Sequence, residues 1–126
     1  MSRSKIKVEY IFRASPTILF QFLTTPACQI RWFCDKADEQ DEHFYFSWSG
    51  EVQVAEIVEF IEDELLLLRW TESEDPKEFL EFRISRTPIS DETVLDITDF
   101  CDVGEEKDTR TIWDNSLKAL KHAMGG

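Results

Sequence analysis

The sequence predicts an α+β fold: a curved antiparallel sheet of six strands wrapped around one long C-terminal helix, with two short helices after the first strand. Three observations carry that prediction. Residues 5–12 alternate apolar and charged side chains, the period of a half-buried strand. Between residues 44 and 100, five further strand segments are joined by turns too short for a parallel crossover, so neighbours must run antiparallel. The C-terminal segment then puts Ile112, Trp113, Ser116, Leu117, Leu120 and Met124 on one face at helical spacing. A helix of roughly 20 residues is about 30 Å long and crosses a whole sheet.

The elements follow in chain order. In the first strand Ile6, Val8, Tyr10 and Phe12 share the packed face, and Lys5, Lys7 and Glu9 share the wet one. Ser15 caps the first helix, and Pro16 supplies helical φ where no N–H is needed. This helix buries Ile18, Leu19 and Phe22. Thr25-Pro26 repeats the start signal, so a second short helix carries Cys28, Ile30, Trp32 and Phe33. Residues 35–42 hold the acids Asp35, Asp38, Glu39, Asp41 and Glu42 and read as a solvated loop over the mouth of a cavity. The remaining strands are predicted at 44–48, 52–61, 65–71, 78–86 and 93–100. Turns fall at Ser49-Gly50, at 62–64, at 72–77 with Pro76, and at 87–92 with Pro88. For the last helix, Asp102 with Glu105 three residues on resembles a capping box. Glu105, Glu106 and Asp108 suit its positive end, Lys118, Lys121 and His122 suit its negative end, and Gly125 stops it.

Length and composition bound the function. A chain of 126 residues makes a single domain spanning 1–126, large enough to withdraw about two-thirds of its unfolded surface from water without metal or disulfide. The formal net charge of -12 opposes nucleic acid and anionic membranes, which require Lys and Arg to replace released counterions. The three cysteines, Cys28, Cys34 and Cys101, cannot all pair, which fits a reducing cytoplasm. The start lacks the apolar core of a signal peptide, and the apolar run at 65–68 is far short of the roughly 20 residues of a membrane helix, so no membrane insertion is expected.

The order of elements is that of the helix-grip fold, and the chain resembles a START-like domain of the SRPBCC superfamily, in the branch related to activators of the heat-shock-protein ATPase. The resemblance rests on Ala14-Ser15-Pro16, on Thr25-Pro26 through Arg31-Trp32-Phe33, on the aromatic hairpin from Phe46 to Gly50, on the strand end from Leu67 to Trp70, and on Thr98-Asp99-Phe100 leading to Trp113. It implies a cavity between the sheet and the long helix, used in the superfamily for lipids, hormones, polyketides or no known ligand. In the chaperone-activator branch it implies a partner protein.

Given that cavity, its lining is expected from Phe12, Trp32, Phe46, Trp48, Val54, Trp70, Phe82, Trp113, Leu117 and Leu120, with Glu56, Asp99 and Ser116 as polar anchors. Glu56 interrupts the apolar face Val52, Val54, Val58 and Phe60. In regular register it enters the cavity, where burial favours its neutral form; with a bulge near Ala55 it faces water and Ile57 takes its place. Asp99 follows Leu95 and Ile97 inward, either to join Trp113 and Ser116 or to take up backbone N–H groups near the strand end. His43, His122 and the cysteines match neither a catalytic set nor a zinc pattern, and residues 35–42 lack the glycine and ligand spacing of an EF-hand; no cofactor is expected. Three functional readings follow: binding of a small apolar or lipid-like molecule in that cavity, a protein-interaction module or chaperone cofactor that meets a basic partner with its acidic loops, and an enzyme of the cyclase or dehydratase sort using Glu56 and Asp99.

Overall fold

The computed structural model describes residues 2–125. The elements are β1 (Arg3–Phe12), α1 (Pro16–Thr24), α2 (Pro26–Gln29), β2 (Lys36–Gln40), β3 (His43–Trp48), β4 (Glu51–Ile61), β5 (Leu65–Trp70), β6 (Leu80–Arg86), β7 (Thr93–Asp102) and α3 (Glu106–Met124). The strands form one curved sheet in the order β1-β7-β6-β5-β4-β3-β2, every neighbouring pair antiparallel. The first strand therefore joins the meander beside the last one.

The sheet has seven strands where the sequence predicts six. The extra one is β2, which lies within the acidic segment expected to be a loop. It pairs with β3 from Lys36↔Ser47 to Gln40↔His43, and Asp41 and Glu42, with φ of 50° and 61°, form the two-residue turn between them. Positive φ at both central residues matches the turn twist to that of the strands. An edge strand is hydrogen-bonded on one side only and tolerates charge on both faces, so β2 lacks the alternation that would have revealed it.

Ser15 Oγ accepts the Ile18 N–H at 3.2 Å, as its capping role requires. The first helix buries Leu19, Phe20, Phe22 and Leu23, while Ile18 is exposed. Helix ends leave carbonyls without partners, and here they are met by backbone and side-chain donors downstream. Thr25 N–H donates to the Gln21 carbonyl, Trp32 Nε1 to that of Phe22 at 2.8 Å, and Gln29 Nε2 to that of Leu23 at 2.8 Å. These bonds hold α2 against the end of α1. Helix α2 ends at Gln29, so Trp32 and Phe33 sit in the turns that follow it and are outside the predicted helix.

Helix α3 packs on β1, β7 and α1, burying Trp113, Leu117 and Leu120 and leaving Ile112 exposed. Tyr10 Oη donates to Asp114 at 2.7 Å, and Arg110 donates to the Lys7 carbonyl on the sheet edge at 2.9 Å. The predicted capping box is absent: Asp102 remains in β7 and binds Arg3 at 2.8 Å, and Glu106 takes the Gly104 N–H. Gly125, at φ 81°, ends the helix in the left-handed conformation that costs glycine least.

Candidate functional site

The concave side of the sheet faces α1 and α3, and the side chains expected to line a chamber there form the core. Phe12, Phe46, Phe82, Trp113, Leu117 and Leu120 are buried, as is Trp32. Phe33, half-buried, packs against the aromatic members of this set. Its ring lies 5.1 Å from Trp32, 4.9 Å from Phe46, 5.2 Å from Trp48 and 6.2 Å from Trp113, with Phe82 another 5.9 Å beyond Trp113. Offset and edge-to-face aromatic packing of this kind adds about 0.5–1.5 kcal/mol per pair to the area removed from water. The adjacent aromatics Trp32-Phe33 were visible in the sequence; which of them would stand between Phe46, Trp48 and Trp113 was not.

Asp99 enters this interior from β7. Its Oδ2 accepts the Trp113 indole N–H at 2.9 Å and its Oδ1 accepts the Phe100 N–H at 2.8 Å, so it meets Trp113 and takes up a backbone N–H near the strand end together. Burial pushes the carboxyl above its ordinary value, and the two hydrogen bonds pull it partly back. Ser116 is half-buried on the same helix, one turn on from Trp113.

Glu56 and Val54 lie elsewhere. On β4 it is Ala55 and Ile57 that meet the core, so Val54 and Glu56 point to the convex face, and Glu56 pairs with Arg69 of β5 at 3.1 Å. The bulge is at Val58, where the register with β5 shifts, and beyond it Phe60 turns back to pack edge-on against Phe20 at 5.0 Å. Neither residue therefore reaches the concave interior, and Glu56 and Asp99 occupy opposite sides of the sheet. That separation removes the two-carboxylate arrangement on which the enzymatic reading depended.

One end of the grip is open. Trp48 and Trp70 stand there half-buried, 6.2 Å apart, with Trp48 Nε1 donating to the Phe33 carbonyl at 2.7 Å. A cleft of about 750 Å³ at this end is lined by Gln53, Trp70 and the acids Glu72, Glu74 and Asp75 of the loop after β5. On its far wall Glu78 holds the Arg3 guanidinium with two bonds of 2.8 and 2.9 Å, and Asp102 supplies a third. A second cleft of about 260 Å³ adjoins it around Trp70, Ser73 and Pro76. Sequence reasoning missed the 72–77 loop as a site because acids in a loop look like ordinary solvation.

Among the described residues no group of three or more His, Cys, Asp or Glu is arranged to hold a metal ion, and no helix is long and apolar enough to cross a membrane. Cys34, buried beside Asp35, has its thiol pushed up to about 11 by burial.

Against this geometry the comparisons are consistent. A family model described as the START-like superfamily domain matches residues 1–126. The Aha1 dimer from Colwellia psychrerythraea, solved in solution, superimposes with a TM-score of 0.80 at 17% identity, covering 95% of this chain and 95% of that one. BfR322 from Bacteroides fragilis is 28% identical with a TM-score of 0.69, over 98% of this chain and 93% of its own. MLL2253 from Mesorhizobium loti gives 0.78 at 19% identity, over 97% of each. The first and third of these likenesses are of fold alone. No curated protein matches the sequence.

Proposed function

The chain belongs to the START-like superfamily, and from that premise we propose that it is a protein-interaction module whose acidic open end receives a basic segment of a partner. The observation that carries this reading is the cleft of about 750 Å³ in which the Trp70 ring stands beside Glu72, Glu74 and Asp75. A guanidinium or ammonium over an indole face gains about 0.5–2 kcal/mol from the ring quadrupole, and unpaired carboxylates within reach add attraction that steers encounter. Glu78 and Asp102 already hold Arg3 and Asp75 takes the Lys77 N–H at 2.9 Å, so Glu72 and Glu74 are the loop acids left to engage a partner. The net charge of -12 favours approach of a cationic segment over any anionic one.

The test is titration of a Lys/Arg-rich peptide and its Glu-substituted counterpart, followed by tryptophan fluorescence. The basic peptide is expected to bind, more weakly as salt rises, and to lose affinity in Trp70→Ala. Equal binding of both peptides, or of neither, rejects the reading.

A second reading, an apolar small molecule held between sheet and α3, is favoured by the half-buried Trp48 and Trp70 rings at the entrance to the aromatic cluster. It requires Phe33 to leave its place against Trp113. An apolar fluorescent probe that bound stoichiometrically and shifted the Trp113 side-chain resonances would support it, and absence of binding would reject it.

A further inference from the structure

We propose that the convex face of the sheet is a docking surface for a second copy of this chain. A sheet packed on one face ordinarily turns polar side chains to the other. Here β4 and β5 turn out Val52, 58% exposed, Val58, 52% exposed, and Leu67. Val58, Leu67 and Phe79 line one shallow groove of about 330 Å³. Phe79 continues the apolar strip to Phe100 of β7, their rings 5.2 Å apart, and Lys5 of β1 stands over the Phe79 ring at 5.6 Å. Contiguous outward apolar side chains on central strands mark an interface.

Charge selects the occupant. Two copies at -12 repel over most of their surface, but on this face two of the acids are answered by neighbouring arginines, while Glu59, across from Leu67, is exposed. Glu56 is paired with Arg69 at 3.1 Å and Glu81 with Arg83 at 3.5 Å. Along the outer side of β1, Lys5 and Lys7 are followed by Glu9, which lies directly across from Asp96 of β7. Two acids in that register repel each other and attract a cation. A two-fold axis over the face brings Lys5 and Lys7 of each copy to Glu9 and Asp96 of the other, the self-complementarity that an isologous contact requires. Pairing through the β2 edge is opposed, because Asp38 takes the Glu39 N–H at 2.8 Å and the strand is acidic.

Sedimentation velocity over a dilution series tests the proposal on the full chain. A monomer–dimer equilibrium is expected. Val58→Glu is expected to weaken it about tenfold or more. Lys7→Glu and Glu9→Lys are each expected to weaken it, and the double charge swap to restore it. Ile89→Glu, at a residue 98% exposed in the turn between β6 and β7, serves as the control and leaves it unchanged. A monomer at every concentration, a dimer indifferent to Val58→Glu, or a double swap weaker than either single change overturns the proposal. So does a dimer that responds to Asp38→Val instead, which would place the contact at the sheet edge.

Discussion

The Trp113 indole N–H donates to Asp99 Oδ2 at 2.9 Å, a single bond that ties α3 to β7 at the wall of the aromatic core. Trp113→Phe keeps most of the ring packing and leaves a buried carboxylate oxygen without its donor. A loss of about 1–3 kcal/mol is expected, read as a lower denaturation midpoint at unchanged slope. Loss of less than about 0.5 kcal/mol would show that the bond is incidental to the packing.

Asp99 also sets a pH dependence. Its folded-state carboxyl is held above the ordinary value by burial, so the folded protein binds this proton more tightly than the unfolded chain does. The resulting stability is complete below the ordinary carboxyl value near about 3.9 and is lost as pH rises through the folded value. Asp99→Asn removes the titration. The stability of the natural chain relative to that variant is therefore expected to fall as pH rises above about 4. Urea midpoints of the two proteins across that range check it, and parallel curves would refute it.

The junction of α1 and α2 depends on two side chains that serve as backbone caps. Gln29, 1% exposed, and Trp32 donate to the Leu23 and Phe22 carbonyls. Gln29→Ala leaves a buried carbonyl unpaired and is expected to cost about 1–3 kcal/mol. Amide exchange in residues 16–33 should accelerate more than exchange in β7; uniform acceleration would point to a global effect only.

Glu56→Gln is expected to do little. The Glu56–Arg69 pair is about two-fifths exposed on both sides, 40% and 42%, and exposed pairs are worth at most about 1 kcal/mol and less in salt. A thermal shift series in low and high salt measures it. A large loss that persists in high salt would contradict the outward placement.

The cysteines should separate by reactivity. The thiolate is the nucleophile, and burial holds the Cys34 thiol at about 11, whereas Cys28 is half-buried on the short second helix. Iodoacetamide near about pH 8 is expected to label Cys28 first and to reach Cys34 and Cys101 only on unfolding. Mass spectrometry of timed digests reads the order directly.

The same physics explains which parts of this architecture were legible in the linear chain. Ser15-Pro16, Gly125 and the run Trp113, Leu117, Leu120 carry local signals whose meaning does not depend on distant residues, and each sits where its pattern placed it. Asp99 was legible too, because the two positions before it in the alternation, Leu95 and Ile97, are apolar and are fully buried. The capping box failed because Asp102 found a stronger partner in Arg3, nearly a hundred residues away. The strand β2 was hidden because an edge strand answers to hydrogen bonds with β3 and to no core.

What the linear chain settled by itself was the set of elements that bury one consistent side, since a period of two or of 3.6 is a local property of the backbone. It could not settle the sense of β4, where Val52, Val54 and Val58 alternate with Ala55 and Ile57 and both sides are apolar. Only the packed molecule decided that. Phe44 and Trp70, opposite Ala55 on the two neighbouring strands, fill the inner side, and that choice turned the valines and Glu56 outward. Likewise, that Phe33 would come to stand against Phe46 and Trp113 depended on where the turn after α2 delivered it, a matter of three-dimensional volume that no spacing along a chain encodes.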